Sequence, residues 1–189
     1  MTKVFASVKK ASASVGRPKG KKGYVVLFQW EDVKPLEMDV DGITVKKMTF
    51  LDTKKPVAIY ATPDTISAID KMSGETDAEG YLHVVAFNSP GDTKEQAVFR
   101  SQAVNMNLGA IVINCGDVEA KLAGTPCSPL RFKKDDGKDD KDAVRREIEL
   151  GNSIPVDPMF RIALSAIPQT GDKDIDDYLG LTAGQVLSA

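Results

Sequence analysis

Tyr81-Leu-His-Val-Val-Ala-Phe87 and Asn107-Leu-Gly-Ala-Ile-Val-Ile-Asn114 are the two stretches that decide the fold of this chain. Both runs are rich in β-branched or aromatic residues, and apolar side chains fall on both faces of each predicted strand. Strands with this pattern belong to sheets that are covered on both sides. We expect a flanking helix to cover one face and a neighbouring subunit to cover the other.

The segment between these two strands predicts the one substantial helix, over residues 92–105. Asp92-Thr-Lys-Glu95 places an acidic N-cap three residues before a glutamate, a pattern typical of a helix start. Phe99 and Ala103 then fall on one face of the helix.

The remaining apolar runs are short and are separated by Gly, Pro and Asp, which favours a mainly β fold. The spacing of Ile66, Ile69 and Met72 predicts a short helical turn, followed by an acidic loop to residue 79. Because helices and strands do not alternate, we predict an antiparallel β-sandwich or barrel with one flanking helix, an α+β protein. The other predicted strands are 24–30, 42–50, 56–61, 118–122, 130–132, 143–150 and 159–166.

Charge divides the chain into a basic arm, residues 1–22, and a single acidic domain, residues 23–189. The arm holds seven Lys/Arg and no acid, whereas the domain holds 18 bases and 27 acids, a net charge of −9. We expect the arm to be extended in the free subunit and to reach an acidic neighbour, with passive contact to DNA as the alternative.

Residues 133–142 form a second charged segment, with five acids, four lysines and no apolar side chain. Such a segment cannot join a core. It is either a solvated hairpin tip or a loop that interlocks with another subunit through complementary charges.

Length and composition are those of an ordinary soluble domain: 189 residues, 42% hydrophobic and 28% charged. No apolar stretch approaches the roughly 20 residues that cross a bilayer, and the N-terminus lacks the apolar core of a secretory signal. We therefore expect synthesis in a cytoplasm and no contact with a membrane.

Residues that carry chemistry are scarce, which argues against an enzyme, a cofactor or a metal site. His83 lies inside an apolar run and is predicted to be a core or interface histidine, and Cys115 and Cys127 are predicted to be reduced, buried thiols. Asp172-Lys-Asp-Ile-Asp-Asp177 begins like a calcium loop, but Asp177 stands where that loop needs glycine.

The order of several motifs resembles the virion structural proteins of tailed phages that infect Bacteroidota-type bacteria. These motifs are Val57-Ala-Ile-Tyr-Ala-Thr62, the acidic segment 74–80, Pro90-Gly-Asp92 and Leu122-Ala-Gly-Thr-Pro-Cys-Ser-Pro-Leu130. Over residues 24–167 the chain is most similar to a tail tube, or major tail, protein.

This resemblance implies β-sandwich subunits that form hexameric rings, whose sheets join into an inner barrel. Stacked rings would make a conduit for DNA with a negatively charged lumen, located in the virion. The partners would be further copies of the chain and other virion proteins. A head decoration, auxiliary capsid or head–tail connector protein is the main alternative. A small ligand-binding β module is weaker because only 6% of residues are aromatic.

The expected assembly interface has three parts: the bases of the arm, the inner residues of the two apolar strands, and the charged segment. Its residues are Lys9, Lys10, Arg17, Lys19, Lys21, Lys22, Val85, Phe87, Ile111, Ile113, Lys134, Asp135, Asp136, Lys138 and Asp139.

Overall fold

The computed structural model of the chain describes residue 7 and residues 18–181, and these contain eleven strands and two α-helices. Three 3-10 turns lie between some of these elements, at Trp30–Asp32, Pro63–Thr65 and Leu164–Ala166. The helices are α1 (Lys94–Ala103) and α2 (Lys173–Leu179). The strands are β1 (Lys21–Gln29), β2 (Glu37–Met38), β3 (Thr44–Lys47), β4 (Val57–Tyr60), β5 (Ser67–Ser73), β6 (Gly80–Pro90), β7 (Leu108–Asn114), β8 (Glu119–Ala123), β9 (Arg131–Asp139), β10 (Val144–Gly151) and β11 (Phe160–Ala163).

The strands form two sheets. The larger sheet has the order β2-β3-β11-β8-β7-β1-β4, and the smaller has the order β5-β6-β10-β9. Neighbouring strands are antiparallel except β3 and β11, which are parallel. The mainly β, sandwich-like prediction is confirmed. The barrel alternative is wrong, because neither sheet closes on itself within the described residues.

One hydrophobic core lies between the two sheets. Val25 and Leu27 of β1 project into it from the seven-stranded sheet, and Val85 and Phe87 of β6 meet them from the four-stranded sheet. Alternation along each strand produces this arrangement, since every second residue points to the same face.

A second core covers the opposite face of the seven-stranded sheet. Val26 and Ile111 project to this side, where Ile167 and the α2 residue Leu179 pack against them. The chain therefore covers both faces of β7 by itself, so the expectation that a neighbouring subunit supplies the second cover was wrong for that strand. The outward face of β6, with half-buried Leu82 and Val84, belongs to neither core.

Gly109 allows an aromatic group to lie directly on β7. The ring of Phe28, opposite Gly109 on β1, would lie 2.1 Å from a Cβ at that position. Phe28 also contacts Trp30 edge to face, with ring centroids 5.0 Å apart. The close approach explains why an otherwise apolar strand contains a glycine.

Helix α1 confirms the predicted helix with a different cap. The hydroxyl of Thr93 accepts the backbone N–H of Gln96, and the Gln96 side chain accepts the N–H of Thr93, which completes a capping box. Asp92 instead accepts a hydrogen bond from Arg100 at 2.8 Å.

Helix α2 is a second, short helix that the sequence did not predict. It ends at Gly180, whose φ of 73° is the left-handed conformation that glycine adopts readily.

Two polar segments are strands rather than loops. Residues 67–73 form β5, so the helical turn predicted from Ile66, Ile69 and Met72 is wrong apart from the 3-10 turn at Pro63–Thr65. The predicted acidic loop is confirmed, since residues 74–79 form the turn between β5 and β6. Residues 133–139 lie within β9 and pair with β10, so only the tip of the 133–142 segment is a turn. Pairing with a neighbouring strand stabilises the extended conformation of each segment, which its own composition does not predict.

Candidate assembly interface

The apolar residues expected at the interface lie inside the subunit. Val85, Phe87, Ile111 and Ile113 are at most 2% exposed. The first two belong to the core between the sheets and the last two to the core beneath α2. They stabilise the subunit and are not accessible to a second copy in this conformation.

The predicted arm is only partly within the described residues. Lys9, Lys10 and Arg17 lie outside them. Lys19 is described, and its ammonium group forms an ion pair with Asp117. That pair lowers the pKa of the Asp117 carboxyl, mainly through the hydrogen bond from Lys19.

The last two basic residues of the predicted arm already belong to β1. The ammonium group of Lys21 donates to the Asn114 side-chain oxygen at 2.6 Å. Lys22 donates to the carbonyl oxygens of Tyr178 at 3.0 Å and Leu179 at 2.8 Å. A cation at this place stabilises the C-terminus of α2. The folded domain therefore begins before residue 23, and these lysines have partners within their own subunit.

Asp135 connects the charged hairpin to α1. Its carboxylate accepts a 2.7 Å hydrogen bond from Nε of Arg146 and lies 3.6 Å from Nε of Arg100. Arg100 in turn pairs with Asp92 before α1. The hydrogen bond that Arg146 donates to Asp135 raises the pKa of the Arg146 guanidinium. The Asp135 carboxylate is therefore bound by two arginines of its own subunit.

The outward side chains of β9 form ion pairs within the same hairpin. Lys134 lies 2.8 Å from Glu147 and 3.4 Å from Asp136, and Lys138 lies 3.0 Å from Asp140. These pairs are exposed, so each contributes little to stability. They leave the hairpin charged on its outer surface.

The tip of this hairpin is short. Asp139 ends β9 opposite Val144, and the Asp140 carboxylate accepts the backbone N–H groups of Asp142 and Ala143. Those backbone hydrogen bonds lower the pKa of Asp140.

His83 is a buried structural histidine, as predicted. Its Nδ1 accepts the backbone N–H of Gly124 at 2.9 Å, so the proton lies on Nε2, which donates to the carbonyl oxygen of Asp157 at 2.9 Å. The Asp70 carboxylate lies 3.7 Å from Nε2. Burial lowers the pKa of His83 despite these two oxygen neighbours. The ring is neutral and joins three segments of the fold.

The acidic residues near the C-terminus stabilise α2. Asp172 caps the helix by accepting the N–H groups of Asp174 and Ile175, at 3.1 and 3.2 Å. Asp176 is buried and accepts both the backbone N–H and the hydroxyl of Thr170 at 2.8 Å. Their oxygens are thus occupied by the chain itself.

Both cysteines are free and exposed, so the expectation of buried thiols was wrong. Across residues 18–181 no group of three His, Cys, Asp or Glu side chains is arranged to hold a metal ion. The same part of the chain has no helix long and apolar enough to cross a membrane.

The open edges of the four-stranded sheet are the most prominent feature available for assembly. β5 forms one edge and exposes Ile69 by 52% and Met72 by 62%. β9 forms the other edge and is almost entirely polar. Sequence reasoning missed β5 because Ile66, Ile69 and Met72 have helical spacing. No polar–apolar alternation marks this strand, because each of its faces carries both kinds of side chain: Ser67, Ile69 and Lys71 lie on one face, and Ala68, Asp70 and Met72 on the other.

The outward face of this sheet is divided into an apolar half and a charged half. Register places Ile69 beside Val84 and Lys71 beside Leu82, at the β5 side. The β9 side carries mixed charges. Bases outnumber acids on this face, whose charged residues include Lys71, Arg131, Lys134, Lys138, Arg145, Asp136, Glu147 and Glu149.

Comparison of the chain with protein-family models, with curated proteins and with solved structures finds no match in any of the three.

Proposed function

We propose that the chain is a non-catalytic structural protein of a tailed-phage virion, which self-assembles into stacked rings that form the tail tube. In this proposal the four-stranded sheets of neighbouring copies join edge to edge. The observation that carries the proposal is the pair of open edges, seven residues long in β5 and nine in β9. Unpaired N–H and C=O groups along such edges are a template for pairing with another chain.

Pairing β5 of one copy with β9 of the next gives an assembly that continues. Two β5 edges, or two β9 edges, would end at a dimer. A contact between unlike edges leaves one edge of each kind free, and it generates a ring when the rotation closes. The mixed charges of β9 disfavour indiscriminate pairing, so a specific register with β5 is needed.

The subunit is suited to this role because it has two cores of its own. Assembly can then add edge contacts to a folded domain without exposing either core. The outward face of the four-stranded sheet, where bases outnumber acids, gives no support to a negatively charged lumen. The proposal therefore does not include one.

Charged substitutions on the β5 edge test the proposal. We expect Ile69→Lys combined with Met72→Lys to abolish ring formation in sedimentation velocity, because charge on an edge strand opposes strand pairing. The matched control is Val40→Lys with Val118→Lys, two exposed positions associated with the other sheet. Both double variants should keep the thermal transition of the parent, since exposed substitutions change stability by about 0.5 kcal/mol or less each. Normal assembly of the β5 variant would contradict the proposal.

A further inference from the structure

A groove runs along the free edge of the seven-stranded sheet, between β4 and α1. It consists of two adjoining cavities of about 350 and 170 Å³, and Val57 and Phe99 line both of them. Val57 and Tyr60 are about half exposed, at 49% and 48%. The walls are largely apolar, whereas the β9 edge of the other sheet is charged.

The backbone of β4 offers hydrogen-bonding groups to this groove. The N–H of Ala61 donates to the Gly23 carbonyl of β1 at 3.0 Å. This hydrogen bond shows which residues of β4 direct their backbone N–H and C=O groups toward β1. Hydrogen-bonded and non-hydrogen-bonded positions alternate along an antiparallel pair, so the backbone N–H and C=O groups of Ala58 and Tyr60 point away from β1. The Tyr60 carbonyl accepts the Ser89 hydroxyl at 3.0 Å. The N–H and C=O of Ala58 and the N–H of Tyr60 remain directed to the open side.

We propose that residues 1–17 of a second copy add a strand to β4 and place apolar side chains in this groove. The inference rests on the proposed self-assembly, and it assigns a second contact between neighbouring copies, in addition to the pairing of β5 with β9. Strand addition to an open edge uses backbone hydrogen bonds for affinity and pockets for specificity.

The length and composition of residues 1–17 suit a strand that binds in this groove. Seventeen residues precede Pro18, and about 3.3 Å per residue gives a reach of roughly 56 Å when extended. The stretch Val4-Phe-Ala-Ser-Val8 holds β-branched and aromatic residues that suit a strand.

The charges of the two partners are also compatible. Residues 1–17 carry four bases and no acid. Glu95 lines the larger cavity at the start of α1 and forms no ion pair within the described residues. Arg100, which lines the same cavity, is already paired with Asp92 and Asp135. In the larger cavity a basic segment therefore meets a carboxylate and no uncompensated cation, and the smaller cavity is lined by both Asp32 and Lys55.

The path of the chain favours a second copy over the same copy. The carbonyl of Gly20 accepts the N–H of Cys115 at 2.8 Å, so the residue just before β1 is tied to the β7 side. In the sheet, β7 and β4 lie on opposite sides of β1, and the groove lies beyond β4. A segment from the same copy would have to turn back around the ends of β1 and β4 to reach the groove, whereas a segment from a neighbour would not.

Disulfide trapping in the full chain tests the proposal. Both native thiols are exposed and are replaced by Cys115→Ser and Cys127→Ser. One tagged protein then carries Phe5→Cys, and a second, with a tag of different mass, carries Tyr60→Cys. After mixing under assembly conditions, we expect the mixed disulfide at about ten times the yield of the control pair, Phe5→Cys with Val118→Cys. The yield should fall as salt screens the basic segment.

Other occupants give different patterns. A disulfide that forms only within one chain carrying both Phe5→Cys and Tyr60→Cys would overturn the second-copy assignment. Preferential trapping of Ser188→Cys with Tyr60→Cys would assign the groove to the C-terminal residues instead. Yields equal to the Val118→Cys control would overturn the proposal altogether.

Hydrogen exchange on the unsubstituted chain gives a second readout. The amide groups of Ala58 and Tyr60 should exchange at least about tenfold more slowly in assemblies than in dilute subunits, and unchanged rates would overturn strand addition. Assembly is scored in parallel by sedimentation. Rings without trapping or protection would reject the groove contact and leave the proposed function intact. Trapped dimers without rings would support the groove contact and count against ring formation.

Discussion

Replacing His83 isolates the contribution of a buried, neutral imidazole to the stability of the fold. The ring accepts one hydrogen bond from Gly124 and donates one to Asp157, and it is fully buried. His83→Leu fills most of the space but leaves the Gly124 N–H and the Asp157 carbonyl without partners. His83→Gln retains a donor and an acceptor in a similar volume.

The magnitude follows from those two lost bonds. A buried polar group left without a partner costs about 1–3 kcal/mol, so His83→Leu should lower the free energy of unfolding by roughly 2–6 kcal/mol at pH 7.5. His83→Gln should lose about half as much or less. Domains of this kind are stable by about 5–15 kcal/mol, so the effect is measurable in either case.

The same site predicts a pH dependence. Burial holds the pKa of His83 below its ordinary value of about 6.5. Below pH 6.5 the His83 side chain is protonated in the unfolded chain but stays neutral in the folded chain. Stability is therefore full above pH 6.5 and decreases as the pH falls, by up to about 1.4 kcal/mol per unit until the folded pKa is reached. Asp70, 3.7 Å from Nε2, opposes this decrease by attracting the charged ring.

Urea unfolding at pH 7.5, 6.5 and 5.5 measures both effects. Carboxylates with lowered pKa values, such as Asp92 and Asp117, titrate below this window and do not interfere. The parent protein should lose stability between pH 6.5 and 5.5, whereas His83→Gln should be nearly independent of pH there. A parent profile that is flat, or a His83→Gln profile that falls equally, would refute the assignment of a neutral buried histidine.

Five further variants, three point substitutions and two segment replacements, test the corrected secondary structure by urea unfolding at pH 7.5. Thr93→Ala should lower the free energy of unfolding by about 1 kcal/mol through loss of the α1 cap, and Asp92→Ala by less; the reverse order would restore Asp92 as the cap. Asp176→Asn should cost about 1.5–3 kcal/mol because a charged acceptor of buried hydrogen bonds is lost; no change would mean that α2 does not depend on it. Replacing 133–142 with a short Gly-Ser turn should destabilise the subunit by at least about 2 kcal/mol, since it removes most of β9. Replacing only 140–143 with a tight turn should leave stability within about 1 kcal/mol, and equal losses would contradict the observed hairpin.

The long apolar strands were predictable because their side chains signal both secondary structure and burial. The runs at 81–87 and 107–114 became β6 and β7, and the helix between them is α1. The choice of Asp92 over Thr93 as the cap was an error of one residue. Both side chains can accept a backbone N–H, and local sequence does not say which one does.

Strands that depend on their neighbours were not predictable from local pattern. β9 is held by its pairing with β10 and by the contacts of Asp135 with Arg146 and Arg100, so its own composition resembles a loop. β5 is an edge strand with one paired side, and Ile69 and Met72 within it have helical spacing with Ile66 just before it. Tertiary pairing outweighed local propensity in both segments.

The apolar part of the expected interface is buried within the subunit. Val85 and Ile111 were assigned to a subunit contact because one helix cannot cover two faces of a sheet. Val85 instead faces the seven-stranded sheet, and Ile111 is covered by α2 and by the turn before Ile167, segments too short or too polar to be recognised as a layer. What remains for assembly is the sheet edges, which sequence patterns do not locate.

Electron microscopy of the purified full chain tests the central claim most directly. At concentrations where light scattering shows association, we predict closed rings of uniform diameter that stack into hollow tubes, with the four-stranded sheets continuous around each ring. Caps or clusters that form only on added capsid protein would instead favour a head decoration or connector protein. A strictly monomeric species at every accessible concentration would contradict the account.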